Sequence, residues 1–209
     1  MSTLSQILRN KIIAIIRGAQ PDDVLQIAGA LYEGGVECVE ITLNSADALR
    51  VIESLATKME GRITVGAGTV LNAASASDAV SAGAKFIISP MLDIDTIHKT
   101  KDLGAVSIPG AFTPTEIFTA FSNGGDIIKV FPGTGGPAFI REVLAPFPYI
   151  PLMPTGGINL TNILDFKKSG AVAFGIGKSL VDTQQKITEE SLQQITANAK
   201  KIIGVINEV

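Results

Sequence analysis

The chain has little of the side-chain chemistry that enzymes most often use: one cysteine and one histidine in 209 residues. A lone cysteine, Cys38, cannot close an internal disulfide, so a reducing compartment is expected. With one cysteine and one histidine, no metal-ligand cluster is legible either. Charge is scarce, at 18% of residues, and balanced: 17 Lys and Arg face 20 Asp and Glu, a net charge of −3. At a pI near 5.2 there is no basic field to hold a nucleic-acid backbone, and no nucleic-acid partner is expected. Hydrophobic residues reach 46% with a mean hydropathy of +0.36, which excludes an intrinsically disordered chain.

The first ten residues lack the apolar core of a signal peptide. A long uncharged run does extend from Val143 to Leu164. Pro146, Pro148, Pro151, Pro154, Gly156 and Gly157 interrupt it, so it cannot be one membrane-spanning helix. No membrane partner and a cytoplasmic location are the expectation. The length suits one domain, residues 1–209, which should bury roughly 70% of its unfolded surface.

What is present is an alternation of short apolar runs with amphipathic segments. Lys11 to Ile16 is a continuous apolar run of the kind expected in a strand buried on both faces. Further runs are Val36–Leu43, Ile63–Val65, Phe86–Ile88, Val106–Ile108, Ile127–Phe131, Ile150–Met153 and Val172–Ile176. Helical spacing follows each one, for example over Val24–Leu31, Ala46–Lys58 and Ala73–Ala82. Asn72 and Asn159 stand where N-caps are wanted, and Thr113-Pro114-Thr115-Glu116 has capping-box spacing. Gly34-Gly35, Gly83, Gly104, Gly124-Gly125 and Gly170 each fall where a helix must close before the next strand. Eight strand–helix repeats predict an α/β fold, a (β/α)8 TIM barrel, with an extra N-terminal helix over Thr3–Asn10 covering its bottom. A doubly wound open sheet is the rival arrangement.

Barrel active sites lie at the carboxyl ends of the strands, so the residues ending each run matter most. Lys129 sits within Ile127-Ile128-Lys129-Val130-Phe131, a charge in an apolar strand. Burial of a lone ammonium lowers its pKa and leaves a nucleophilic amine able to condense with a carbonyl. The alternative is a lysine that snorkels to solvent or pairs with a buried acid. Glu40 has the same logic on the second strand, as a general acid/base or as half of a structural ion pair. Glu37 opens that strand and is expected to be solvated at the opposite rim. Thr155-Gly156-Gly157-Ile158-Asn159 and Gly175-Ile176-Gly177-Lys178-Ser179 are each expected to open a helix whose free N–H groups attract an anion. Glycines also close ordinary strand-to-helix turns. His98 falls in a helical segment and Cys38 in a strand, and neither suggests chemistry.

Six ordered motifs together resemble the 2-keto-3-deoxy-6-phosphogluconate/4-hydroxy-2-oxoglutarate aldolase family. They are Glu40-Ile-Thr-Leu43, Gly66-Ala-Gly-Thr-Val70, Ile88-Ser-Pro90, Lys129-Val-Phe-Pro132, Pro154-Thr-Gly-Gly-Ile158 and Gly177-Lys-Ser-Leu-Val181. The resemblance runs from about Leu8 to Val181. It implies a TIM barrel, usually a homotrimer, and a covalent imine with no metal or other cofactor. Lys129 would be the Schiff-base lysine and Glu40 the proton shuttle. Thr69 would help hold the pyruvate carboxylate, Pro90 and Phe131 would shape the pocket, and Thr155 would face a substrate hydroxyl. Gly156, Gly157, Gly177 and Ser179 would receive the phosphate of a phosphorylated keto acid. The family's phosphogluconate branch commonly carries a carboxylate-gripping arginine where this chain has Asn44. Asn44 is therefore either a substrate contact or the N-cap of the next helix, and Arg17, ending the first strand, is expected to replace the missing arginine. The family's phosphogalactonate branch has an arginine ending strand one, as Arg17 does here, so the implied reaction is cleavage of a 2-keto-3-deoxy-6-phospho sugar acid, of phosphogluconate or phosphogalactonate type, to pyruvate and glyceraldehyde 3-phosphate. Cleavage of 4-hydroxy-2-oxoglutarate, sugar-phosphate isomerisation and non-catalytic ligand sensing are the alternatives.

Overall fold

The structure, a computed structural model, describes residues 2–208. Helix α1 (Thr3–Asn10) leads into β1 (Ile12–Ile16), α2 (Pro21–Glu33), β2 (Cys38–Thr42), α3 (Ala48–Lys58) and β3 (Thr64–Gly68). Then follow α4 (Ala73–Ser81), β4 (Phe86–Ile88), α5 (Ile94–Asp102), β5 (Val106–Ile108), β6 (Gly110–Ala111) and α6 (Pro114–Ser122). The chain continues through β7 (Ile128–Val130), α7 (Gly136–Leu144), β8 (Leu152–Pro154), α8 (Ile163–Lys168), β9 (Phe174–Ile176) and α9 (Glu189–Asn207). Among the described residues, no helix is long and apolar enough to cross a membrane.

Helix ends follow local chemistry. Asn72 caps α4 by accepting from Ser75 N, and Thr113 and Glu116 close a reciprocal capping box on α6 behind Pro114. The N-cap of α3 is Asp47, not Asn44, which lies in an exposed turn that delays the helix to Ala48. Asn159 is likewise not a helix cap. Its Oδ1 accepts from Thr161 N at 2.9 Å in a local turn, and α8 starts only at Ile163.

Every strand pair is parallel, as the alternation requires. The ladders form two sheets, β5-β4-β3-β2-β1-β9 and β6-β7-β8, rather than one continuous eight-stranded ladder. The fifth expected strand, Val106–Ile108, is β5; Pro109, with no N–H to donate, separates it from a further short strand, β6. The sheets nevertheless meet at both edges. Lys129 N donates to Pro109 O at 2.9 Å and Asp126 N to Ser107 O at 2.8 Å. At the other edge Val172 N donates to Leu152 O at 3.0 Å, and Thr155 forms a parallel bridge with Gly175.

Strand alternation sorts side chains between two apolar layers. Val39, Ile41, Ile128, Val130, Leu152, Phe174 and Ile176 join a large core shared with the helices. Ile13, Cys38, Phe86, Ile127, Met153 and Ala173 form a second core together with Ile7 of α1. Burial in that apolar layer pushes the Cys38 thiol up to about 12, so it stays an inert small hydrophobe. Helix α1 is fastened beside it. Gln6 Oε1 accepts from Thr64 Oγ1 at 2.6 Å, and Arg9 pairs with Glu37. Glu37 lies at the start of β2, at the rim opposite the strands' carboxyl ends and partly exposed as expected, and α1 returns there to pair with it. His98 is exposed on α5.

Candidate active site

Two residues beyond Cys38 along β2 is Glu40, and two beyond Ile127 along the β7 segment is Lys129. The same parity that buries Cys38 and Ile127 in the second core carries both charges inward. Glu40 is 1% exposed and Lys129 3%. Burial raises the Glu40 carboxyl pKa, opposed by the positive charges of Lys129 and Arg17. Burial also lowers the Lys129 ammonium pKa; Glu40 opposes that shift and Arg17 adds to it. Three charges from β1, β2 and β7 thus act on one another in one place. Neither Glu40 oxygen has a hydrogen-bond partner, so the pair is not a closed structural ion pair. Lys129 Nζ stands 4.9 Å from the centroid of the Phe131 ring.

The neighbouring strand is carved to receive Glu40. In register, Glu40 lies beside Gly66 and Thr42 beside Gly68. A Cβ at Gly68 would lie 1.6 Å from Glu40 Oε1, and one at Gly66 would lie 2.2 Å from the Phe86 ring. The glycines at alternate positions of β3 are therefore the space into which Glu40 and Phe86 project. Thr155 is treated similarly. It is 3% exposed, its Oγ1 is unpartnered, and a Cβ at Gly175 would come within 2.4 Å of that oxygen.

A cavity of about 660 Å³ opens at the carboxyl ends of β1, β7, β8 and β9; Lys129 and Glu40 do not line it, and Lys129 borders it through the Phe131 ring. Arg17, Phe131, Thr155, Gly156, Gly157, Gly177 and Ser179 all line it, as their strand-end positions predict. Gly156 and Gly157 have φ of +94° and +77°, conformations that side chains resist. Their loop is joined to the next by Ser179 Oγ, which donates to Ile158 O at 2.6 Å. One expectation fails: neither glycine loop opens a helix directly. After β9, Val181 N donates to Gly177 O at 2.9 Å to make one isolated turn, and α9 begins only at Glu189.

Thr69, Pro90 and Asn44 do not line this cavity; they lie at the ends of β3, β4 and β2. Thr69 is held at φ +55°, an uncommon conformation for a β-branched residue and one that concentrates at functional sites. Pro90 is packed against the backbone of Gly110, where a Cβ would meet Pro90 C at 2.4 Å. Asn44 is exposed. Sequence reasoning missed Ser45, whose Oγ accepts from Gly18 N at 2.9 Å and lies 2.9 Å from Thr42 Oγ1. It also missed Thr183, whose hydroxyl donates to the Arg17 carbonyl. A hydroxyl in a loop carries no sequence signal of its own. Among the described residues, no three His, Cys, Asp or Glu side chains are grouped to hold a metal ion.

Comparison with known proteins places this geometry. Residues 4–198 match the family model for KDPG and KHG aldolases. A probable 2-dehydro-3-deoxy-6-phosphogalactonate aldolase of Rhizobium meliloti is 34% identical over 175 residues, 83% of this chain and 82% of its own. A 2-dehydro-3-deoxy-phosphogluconate aldolase of Haemophilus influenzae is 35% identical over 201 residues, 94% of this chain and 92% of its own. Among solved structures, KDPG aldolase from Legionella pneumophila, with pyruvate captured as a covalent carbinolamine, superposes with a TM-score of 0.81 at 26% identity. That match covers 98% of this chain and 96% of the other. The buried lysine–glutamate pair beside a glycine-walled cavity thus sits in a chain that belongs to the KDPG and KHG aldolase family.

Proposed function

We propose that this chain cleaves a 2-keto-3-deoxy-6-phospho sugar acid to pyruvate and glyceraldehyde 3-phosphate through an imine on Lys129. The observation that carries this is a buried amine, its pKa lowered by burial, under the charge of a buried carboxyl whose oxygens are unpartnered. Neutral Lys129 attacks the C2 carbonyl to give a carbinolamine. Protonated Glu40 gives its proton to the departing C2 hydroxyl, and water leaves as the iminium forms. The iminium draws in the electron pair of the C3–C4 bond as Glu40, through water, takes the C4 hydroxyl proton. Glyceraldehyde 3-phosphate departs; the remaining enamine is protonated at C3, and water releases pyruvate and the free amine. The Legionella relative, with its covalent pyruvate carbinolamine, is consistent with this order.

Binding draws on the cavity wall and on the neighbouring ends of β2, β3 and β4. Arg17 and the strained Thr69 hold the substrate carboxylate, the arginine as a bidentate donor. Phe131 shapes the apolar side of the cavity, Pro90 and Asn44 meet the substrate from the ends of β4 and β2, and Thr155 faces a sugar hydroxyl. Gly156, Gly157, Gly177 and Ser179 receive the phosphate on backbone N–H groups in turns rather than at helix starts. No metal or other cofactor enters the scheme. The two sheets, hydrogen-bonded at both edges, form one closed (β/α)8 barrel capped by α1. Residues 1–209 form a single domain, working in the cytoplasm as a homotrimer.

A coupled pyruvate assay on 2-keto-3-deoxy-6-phosphogluconate, its galactonate epimer and 4-hydroxy-2-oxoglutarate tests the reading. A phosphorylated sugar acid should exceed 4-hydroxy-2-oxoglutarate in kcat/KM by on the order of 10²-fold, the worth of one or two charge-assisted hydrogen bonds. No pyruvate from any of the three, with hydrogen exchange at a substrate carbon instead, would assign an isomerase. Gly68→Ala supplies a separate check. Its methyl overlaps Glu40, so kcat should fall on the order of 10²-fold and the fold should lose about 1–3 kcal/mol from overpacking. Turnover within twofold of the parent would show that Glu40 needs no such space.

A further inference from the structure

The peptide unit joining Arg17 to Gly18 is gripped at both of its polar ends by side chains from elsewhere in the chain. Its N–H, on Gly18, donates to Ser45 Oγ at 2.9 Å, and Ser45 Oγ is itself 2.9 Å from Thr42 Oγ1 of β2. Its C=O, on Arg17, accepts from the Thr183 hydroxyl in the loop after β9. Hydroxyls in the loops that follow the two strands flanking β1 thus hold one peptide plane. The plane needs holding. Arg17 and Gly18 are exposed beyond the end of β1, and Gly18 is at φ +69°, in a residue that tolerates either sign of φ. A flip of that peptide would exchange N–H for C=O, break both hydrogen bonds and free the backbone from which the Arg17 side chain extends.

We infer that Ser45 and Thr183 are positioning residues that clamp the Arg17–Gly18 peptide and so aim the Arg17 guanidinium at the substrate. The inference rests on the reading above that Arg17 holds the substrate carboxylate. Neither hydroxyl touches the reacting atoms; both act through Arg17. Because a carboxylate contact of this kind is made equally before and during bond cleavage, the clamp should show in KM rather than kcat.

The test is a double-mutant cycle with pyruvate release as readout. Ser45→Ala and Thr183→Val should each raise KM by on the order of 5- to 10-fold, as expected for loss of one neutral hydrogen bond, with kcat within about twofold. Ser45→Thr and Thr183→Ser keep the hydroxyl and should restore KM. Arg17→Ala should raise KM further than either, and in its background Ser45→Ala and Thr183→Val should have no added effect. Failure of Arg17→Ala to change KM would remove Arg17 from the site and the clamp with it. If Arg17→Ala raises KM while the hydroxyl variants do not, or if their effects persist undiminished without Arg17, Arg17 stands and the clamp is overturned. A fall in kcat with unchanged KM in Ser45→Ala would also contradict it, as general loosening of the fold rather than aim.

Discussion

Replacing Lys129 with methionine should lower kcat for pyruvate release by on the order of 10⁴-fold or more, the usual cost of deleting a covalent nucleophile. Methionine approximates the length of the lysine stem and carries no charge, so it suits a site that is 3% exposed and set among apolar strand residues. The fold should therefore survive, and near-ultraviolet circular dichroism should match the parent. The same variant should still bind a phosphorylated keto acid, because Arg17 and the glycine loops of the cavity wall are untouched. Retained binding with abolished turnover distinguishes a lost nucleophile from a lost site. Activity within tenfold of the parent would remove Lys129 from the covalent chemistry.

Glu40→Gln carries the second large effect, because it keeps the shape and removes the proton. Loss of a positioned general acid–base should lower kcat by on the order of 10²- to 10⁴-fold. The pH dependence gives a sharper signature. Burial holds the Lys129 pKa below its ordinary 10.5, while the negative charge of Glu40 pulls the other way by favouring the ammonium. Removing that charge must lower the Lys129 pKa further. Only the neutral amine attacks the carbonyl, so imine formation rises as pH climbs through that pKa. The rise should consequently move to lower pH in Glu40→Gln, although the rate at its plateau is reduced. Trapping rates measured across pH check this, and a rise that stays put or moves upward would contradict the coupling.

Lys129 and Glu40 were legible because each is a charge inside an apolar strand, and nothing in the packing of a parallel sheet asks for that. Their coupling was legible only through the barrel: an interior shared by the second and sixth expected strands brings the two charges near each other, and the structure has each acting on the other. The carving of Gly66 and Gly68 was half legible. Glycines in a strand signal close approach, but only the path of the Glu40 side chain, past its register partner Gly66 to Gly68, shows which glycine makes room for it. The glycine loops after β8 and β9 were read as helix starts because an exposed turn and a helix N-terminus use the same residues. Asn159 misled in the same way, its side chain serving a local turn as well as it would a helix. Glu37 met an unexpected partner because α1 returns to the start of β2, a contact that joins Arg9 and Glu37 across the chain. The fifth strand ends at Ile108 as read, before Pro109, whose missing N–H leaves a gap in the ladder; the short β6 beyond it carried no sequence signal.

The hydroxyl clamp on Arg17 lies beyond sequence reading altogether. Ser45 and Thr183 are ordinary loop residues until folding brings both to the end of β1.

Incubating the parent protein with pyruvate and borohydride, then mapping the modified peptide by mass, tests the central claim most directly. Reduction should fix a three-carbon acid on the side chain of Lys129, with the peptide spanning it gaining the corresponding mass and activity lost in proportion. An unmodified protein, or an adduct on any other lysine, would contradict it.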